Sequence, residues 1–388
     1  MLSTADFARE SRVAPLHVDE PRMLNRGFMA GRLYREYLAT GRLDPGWEGE
    51  VWQARKPPLG NLIVAAALRL GGATPPPEPY RYDWLHDYAW NAERGQAPSD
   101  EVVRAGRLLT PLFAAAAVVA VFLLGGAVGG IGGGLVAAGL FHFHPVVRIY
   151  GTRALADVPM MAASLWALWW LVRRVAPAWE WSWRGFLRRV AVFGLLVGVA
   201  TAIKQNAALV GAAGGAALVV WGAASAGVLG VRAAGARTVL AATLLGAVAF
   251  GVYVLVNPAL HARPLGGTVA QVDAWNRKFA GHWKARPEQA LRTTGARAAA
   301  VGRVIAGARF PVLPWPWVPA ALAAAGTLVL AVHAWRHGPL APATIVLLWS
   351  GVTLAGVTLW IPLDWDRYYL PLVAVVAVLA GGVVAVRR

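Results

Sequence analysis

Apolar runs long enough to cross a lipid bilayer recur along the sequence from residue 108 onward. A helix needs roughly 20 predominantly apolar residues to span the hydrocarbon core, and each run is close to that length. The Gly-rich tract 125–134 predicts a tight connection between the first two spans, because small residues let helix backbones approach closely. We therefore predict an all-α polytopic membrane protein with about nine transmembrane helices, over residues 108–126, 130–148, 158–172, 190–205, 207–222, 238–256, 315–335, 342–361 and 368–386.

Residues 1–107 have a different pattern, being mostly polar and without an apolar run of spanning length. Two amphipathic helices are predicted there, at residues 21–40 and 57–70. The second is too short to span a bilayer comfortably and is expected to lie in the membrane interface. The chain thus divides into an N-terminal region with interfacial helices at 1–107, transmembrane helices at 108–256, a loop at 257–313 and C-terminal transmembrane helices at 314–388.

The charges in the short loops predict the orientation of the spans. Basic loops are cytoplasmic in most membrane proteins, and by the count of spans four basic segments share one side: Arg173, Arg174, Arg184, Arg188 and Arg189; Arg232 and Arg237; Arg336; and Arg387 with Arg388. Residues 1–107, 148–157, 204–205, 257–311 and 362–367 then lie on the extracytoplasmic side. Residues 1–14 are not apolar enough to carry the N-terminal region across. Either a further helix precedes residue 1, which would make ten, or the orientation of the spans is inverted; we expect the further helix.

The amino-acid composition indicates which classes of molecule the protein could bind. The net charge of +17 suits anionic lipid headgroups or a phosphate-bearing substrate. Nucleic acid is not expected, because the basic residues are divided among loops between spans. The absence of cysteine excludes disulfides and thiolate chemistry. Several of the 19 tryptophans lie near span ends, as in an interfacial aromatic belt.

Ionisable and amide side chains gather on the predicted extracytoplasmic side from six separate places in the sequence. Each ionisable group at membrane depth costs about 2.5–3.5 kcal/mol on insertion scales, so such groups persist mainly where they pair or function. We expect them to meet at one face of the bundle: Asp19, Glu20, Arg55, Lys56, Arg153, Asp157, Lys204, Asn257, Asp364, Asp366 and Arg367.

Each of these sites also has a structural interpretation. Asp19 and Glu20 could supply a base and an orienting carboxylate, or could simply cap a helix that begins at Pro21, which the residues alone favour. Arg55 and Lys56 precede a helix start and could bind phosphate there, or could anchor the interface by snorkelling.

Polar residues further along the chain also have both a functional and a structural interpretation. Arg153 and Asp157 have the i,i+4 spacing of a helical ion pair, which is the favoured interpretation from the residues alone. Lys204 lies in a short turn between two apolar helices and could be a second phosphate contact or a snorkelling loop lysine.

Six short motifs resemble one family in order and over nearly the whole chain. They are VDE at 18–20, KPPLG at 56–60, RALADVP at 153–159, GVATAIK at 198–204, VNPAL at 256–260 and DRYYLPL at 366–372. With them the sequence resembles the bacterial GT-C superfamily of membrane glycosyltransferases. The closest group is the protein O-mannosyltransferase-like glycosyltransferase family 39, which includes the lipid A aminoarabinose transferases.

The resemblance implies a polyprenyl-phosphate-linked sugar as donor, with transfer on the extracytoplasmic side of the plasma membrane and inversion at the anomeric carbon. Asp19 would be the general base that deprotonates an acceptor hydroxyl. Glu20 and Asp157 would complete the catalytic carboxylates, Asp157 by orienting the site or by helping to hold a divalent metal. The acceptor could be a protein, a lipid or a glycan.

The resemblance also assigns the cations. Lys56, Lys204 and Arg367 would neutralise the lipid phosphate as it leaves, where fixed positive charge helps the transition state most. Arg55 and Arg153 would bind substrate beside them. In two features the chain departs from the family: it lacks a span immediately before the acidic pair, and it has Arg55 where many relatives carry Glu or His.

A non-catalytic scaffold with a degenerate site is one alternative, and a transporter or flippase of lipid-linked substrates is the other. A transporter would place charges near mid-span and would have broken helices in corresponding halves. The spans of this chain are nearly free of charge at their centres, and the polar groups lie at one end. The pattern therefore favours a reaction at the membrane surface over transport.

Overall fold

The computed structural model describes residues 2–42, 57–83, 85–180, 183–307 and 315–387. Helices account for most of them. The N-terminal region holds five: α1 (Leu2–Val13), α2 (Glu20–Thr40), α3 (Leu59–Leu70), α4 (Tyr88–Glu93) and α5 (Asp100–Arg107). The helices that follow are α6 (Thr110–Phe143), α7 (Pro145–Tyr150), α8 (Asp157–Trp170), α9 (Trp183–Ile203), α10 (Ala208–Leu229), α11 (Val231–Leu255), α12 (Pro264–Ala285), α13 (Thr294–Gly307), α14 (Val318–His337), α15 (Pro342–Trp360) and α16 (Leu370–Gly381).

Seven segments of the described chain are helices long and apolar enough to cross a membrane. One of them contains α6, which folds back on itself at Gly130, where φ is 67°. The two arms pack so closely that a Cβ on Gly125 would lie 2.6 Å from the Cβ of Ala137. The predicted tight connection is confirmed.

With α6 counted as two passes, and with α8 and its continuation Leu171–Val175 as a further apolar helix, the described residues cross the bundle nine times. The prediction of an all-α polytopic membrane protein is therefore confirmed.

The two ends of the bundle differ in chemistry. At the end we call the polar end, the start of α6 meets the 151–157 turn, because Thr110 Oγ1 donates to the carbonyl of Arg153 at 3.0 Å. Helix α3 lies there too, with Gly60 against Ala156 and Ile203. At the opposite end the basic loops meet: the indole of Trp221 donates to the carbonyl of Pro339 at 2.9 Å, and the Trp221 ring lies 5.8 Å from that of Trp179.

The N-terminal helices form a polar layer over the polar end. Helix α2 begins with a proline in its first turn and ends at Gly41, whose N–H donates to the carbonyl of Tyr37 at 2.8 Å. It packs along α3, where Gly27 meets Val64 and Leu68. These two helices agree with the predicted amphipathic segments to within two residues at each end.

Several helices were not predicted. Helices α1, α4 and α5 occupy parts of residues 1–107 that carry no strong apolar pattern, and α12 and α13 fill much of the segment 257–313 that was predicted as a loop. The link between α12 and α13 pairs with the segment before α16 through an antiparallel bridge between Ala290 and Leu363. This bridge is the only β pairing among the described residues.

Candidate active site at the polar end

Asp19 and Arg367 form an ion pair at the polar end, although 348 residues separate them in the sequence. Asp19 precedes the first residue of α2, but its side chain makes no capping hydrogen bond. Instead it points to the guanidinium of Arg367, and the two side chains are only 18% and 16% exposed. The capping interpretation therefore does not describe what the carboxylate does.

A second ion pair joins Asp157 to Lys204, with Nζ 2.5 Å from Oδ1. Lys204 has an extended backbone between α9 and the short turn Gln205–Ala207, which lets its side chain reach back to α8. The sequence favours an ion pair between Arg153 and Asp157, and this prediction is wrong for the described structure. The helix begins only at Asp157, so the two residues lack the i,i+4 geometry of a helical turn.

Tyr368 brings the two ion pairs together. Its ring centre lies 5.7 Å from Nζ of Lys204 and 5.6 Å from the guanidinium carbon of Arg367. The cations of both ion pairs therefore lie near one aromatic ring. The structure brings together Asp19, Asp157, Lys204 and Arg367 as the sequence predicts, whereas Arg55 and Lys56 lie outside the described residues.

Glu20 is fully buried and saturated with hydrogen bonds. Its Oε1 accepts from Nε of Arg107 at 2.7 Å and from the N–H of Ala154 at 2.8 Å. Its Oε2 accepts from Nη2 of Arg107 at 2.5 Å and from the N–H of His17 at 2.8 Å. Four donors fill the accepting capacity of a carboxylate. This geometry favours a positioning role for Glu20 over the catalytic role that the resemblance implies.

The sequence pattern did not indicate a role for Arg107. Besides Glu20, its guanidinium donates to the carbonyls of Ser11 at 2.9 Å, Ala14 at 2.7 Å and Pro15 at 3.1 Å, so all five N–H groups are used. It therefore ties α5 to the end of α1 and to the start of α2. No spacing rule connects residues 87 apart, and the only signal is a charged residue at the edge of the first span.

Arg153 is a buried cation with unused donors. The residue is 8% exposed, and within the described structure Nε and Nη1 have no hydrogen-bond partner. Burial lowers its pKa, because the charged form loses water, while the nearby carboxylate of Glu20 opposes that shift. Since Glu20 is committed to Arg107, Arg153 can still donate to an anion.

A metal at Asp157 is not supported by the residues around it. The carboxylate is paired with Lys204, and the described part of the chain contains no group of three His, Asp or Glu side chains that could hold a metal ion. We therefore derive no step through a metal.

His17 packs against the site and should make stability depend on pH. Burial lowers its pKa from the usual 6.5, with Arg367 and Arg153 adding to the shift and Asp19 and Glu20 opposing it. Its Nδ1 accepts the N–H of Asp19 at 3.1 Å, which requires the neutral ring. Because the folded pKa lies below the unfolded value, this stability is present above about pH 6.5 and is lost as pH falls towards the folded pKa.

We expect the melting temperature in detergent to fall between pH 7.5 and pH 5.5 by more in the wild type than in His17→Asn. The asparagine oxygen can still accept the Asp19 N–H but does not titrate. Equal falls in the two proteins would show that His17 does not carry the pH dependence.

The apolar helix bundle with a polar helical layer over one end is similar to solved structures that have the GT-C fold of membrane glycosyltransferases. Over 100% of its length the chain is similar to ArnT from Cupriavidus metallidurans solved with undecaprenyl phosphate, with 16% identity, 60% of that chain covered and a TM-score of 0.53. The implied fold is confirmed.

Two archaeal structures are also similar. The apo oligosaccharyltransferase of Archaeoglobus fulgidus matches 98% of this chain and 49% of its own, with 14% identity and a TM-score of 0.54. The oligosaccharyltransferase AglB from the same organism, solved with an inhibitory peptide and a dolichol-phosphate, matches 98% and 49% with 13% identity and a TM-score of 0.52. The chain thus spans about half to three fifths of these proteins. No protein-family model matches the sequence, and no curated protein does.

Proposed function

We propose that the protein is a glycosyltransferase of the plasma membrane that moves a sugar from a polyprenyl-phosphate-linked donor to an acceptor hydroxyl on the extracytoplasmic side. The observation that carries this proposal is the cluster of Asp19, Arg367, Asp157 and Lys204 at one end of the bundle. It offers a carboxylate for a hydroxyl proton and cations for a phosphate. The shared fold supports it, because ArnT and AglB were solved with polyprenyl phosphates.

In the proposed reaction Asp19 takes the proton of the acceptor hydroxyl. The hydroxyl oxygen forms a bond to the anomeric carbon while the bond from that carbon to the phosphate oxygen breaks. The phosphate keeps the bonding electron pair and leaves as the polyprenyl phosphate. Attack opposite the leaving group inverts the configuration at the anomeric carbon. For Asp19 to act, Arg367 turns from the carboxylate to the donor phosphate.

Arg367 and Lys204 would stabilise the negative charge that develops on the phosphate, a contribution that grows in a site shielded from water. Asp157 holds Lys204 in place at 2.5 Å. Arg153, with the two nitrogen atoms Nε and Nη1 unused in the described structure, provides a further cation for an anionic part of a substrate. The acceptor is a protein, lipid or glycan that bears a free hydroxyl, and membrane lipids surround the bundle.

The test is transfer of radiolabelled sugar in membranes that contain the protein, from undecaprenyl phosphate carrying glucose, mannose or arabinose. Transfer above that of membranes without the protein is the expected result. Movement of the labelled lipid across the bilayer without transfer would contradict the proposal and favour a flippase.

Lys204→Met should lower kcat in this assay by about 10²-fold, the loss typical of one removed transition-state contact. Lys204→Arg keeps the charge and should retain part of the rate. The matched control is Arg336→Met, which removes a cation at the opposite end and should leave transfer unchanged. If Lys204→Met were as active as this control, Lys204 would have no role in the transfer reaction.

A further inference from the structure

Two aromatic rings lie directly beside the reacting groups of the polar end. Trp365 and Tyr368 have parallel planes, with an interplanar angle of 2° and ring centres 5.7 Å apart. The guanidinium carbon of Arg367 lies 4.5 Å from the Trp365 ring centre, and Arg367 is the partner of Asp19. The pair of rings therefore adjoins both the candidate base and the candidate phosphate cations.

These rings differ from the tryptophans of an interfacial belt. Belt residues face lipid and are therefore exposed on the protein surface, as are Trp360, Trp315 and Trp317, at 61%, 58% and 56%. Trp365 and Tyr368 are half-buried and turn towards Arg367 and Lys204 instead. Membrane anchoring, which the sequence suggests for tryptophans near span ends, does not account for this placement.

The Trp365 ring and the backbone of residues 364–368 are also held in place. The indole N–H of Trp365 donates to Oε1 of Gln289 at 2.7 Å. The backbone N–H of Asp364 donates to the carbonyl of Gln289 at 2.9 Å, and the N–H of Tyr368 donates to the carbonyl of Trp365 at 2.9 Å. A surface fixed by two distant parts of the chain is preorganised for a ligand, because little conformational freedom is lost on binding.

We propose that Trp365 and Tyr368, which stack on each other, form a carbohydrate platform whose outer face holds the sugar ring of the donor, an inference that rests on the proposed function. The face of an aromatic ring carries partial negative charge, and it attracts the weakly positive C–H groups on one face of a sugar ring. Dispersion adds to the contact over the flat area. With the sugar on the platform, the phosphate attached to its anomeric carbon lies towards Arg367 and Lys204.

The test separates sugar recognition from phosphate recognition. Binding of undecaprenyl phosphate and of undecaprenyl phosphate carrying glucose, mannose or arabinose is measured on the purified full chain. The wild type should bind at least one sugar-bearing lipid more tightly than undecaprenyl phosphate. Trp365→Leu should reduce that gain roughly three- to tenfold, the effect of one aromatic contact, and leave undecaprenyl phosphate binding unchanged.

Three variants make the result specific. Trp365→Phe loses the hydrogen bond to Gln289 but keeps an aromatic ring, so it should retain most of the gain in binding. Tyr368→Phe also keeps its ring and should retain most of the gain. Trp360→Leu removes a lipid-facing tryptophan and should bind like the wild type.

Two outcomes would overturn the platform. One is a wild type that binds no sugar-bearing lipid better than undecaprenyl phosphate. The other is a Trp365→Leu protein without the expected selective loss: it either keeps the full gain or binds both kinds of lipid equally weakly, in which case the ring only positions the cations. Either can occur while the wild type transfers sugar, so failure of the platform is distinct from failure of the proposed function.

Discussion

Asp19→Asn should reduce sugar transfer by about 10²–10⁴-fold, the usual contribution of a general base. Asparagine has nearly the shape of aspartate but cannot accept the proton of the acceptor hydroxyl. Donor binding should persist, since the change leaves Lys204 and Arg367 in place. The measurement is the initial rate of transfer from the undecaprenyl-phosphate sugar that the wild type uses, at equal amounts of inserted protein.

The substitution also removes the partner of Arg367, so loss of activity must be separated from loss of structure. Both side chains of the Asp19–Arg367 pair are more than four fifths buried, and an isolated cation there costs stability. The double variant Asp19→Asn/Arg367→Gln removes both charges and should recover stability without recovering transfer. Asp273→Asn, an exposed aspartate on α12, is the control for loss of one negative charge.

Wild-type rates in Asp19→Asn would exclude Asp19 as the base. A double variant that regained transfer would also exclude it, because the defect would then arise from the unpaired arginine.

The amphipathic helices and the spans could be predicted because their signals are local. The apolar stripes of α2 and α3 and the glycines around Gly130 each act within a few turns of chain. The meeting of Asp19, Asp157, Lys204 and Arg367 was also predictable, since counting spans places all four at the same end of the bundle. Only the pairing within this set was missed, because it depends on side-chain directions.

What the sequence could not predict depends on distant contacts. Helix α1 has a low apolar content, yet Phe7 is fully buried against the α6 hairpin. The role of Arg107 depends on carbonyls of residues 11–15 and on Glu20, none of which is related to it by a helical or strand period. The position of Trp365 near the start of a span suggests a belt residue. Its hydrogen bond to Gln289, from another segment of the chain, fixes the direction of the ring instead.

Arg107→Leu should lower the free energy of unfolding by about 3–5 kcal/mol, the cost of removing one partner from a buried ion pair. Arg107 is 2% exposed and Glu20 is fully buried, so the carboxylate would stay in the interior without its counter-ion. The carbonyls of Ser11, Ala14 and Pro15 would lose their donors as well. Chemical unfolding in detergent micelles measures the change.

Arg104→Leu is a closely matched control, because Arg104 lies one turn earlier on the same helix and is exposed. A surface arginine contributes little, so this variant should change the free energy of unfolding by less than about 0.5 kcal/mol. Similar unfolding of the two variants would show that the buried pair does not hold the polar layer together.

A conservative variant at Arg107 tests whether Glu20 positions Asp19. The two residues are adjacent, and Glu20 is fixed by Arg107 and by the backbone of Ala154. Arg107→Lys keeps a positive charge but cannot reproduce the five-donor geometry, so it should be intermediate in stability. If Glu20 acts by positioning, the folded fraction of Arg107→Lys should show a lower kcat with little change in KM for the donor, because the donor contacts are made by Lys204 and Arg367. A kcat equal to that of the wild type would mean that Asp19 keeps its place without this pair.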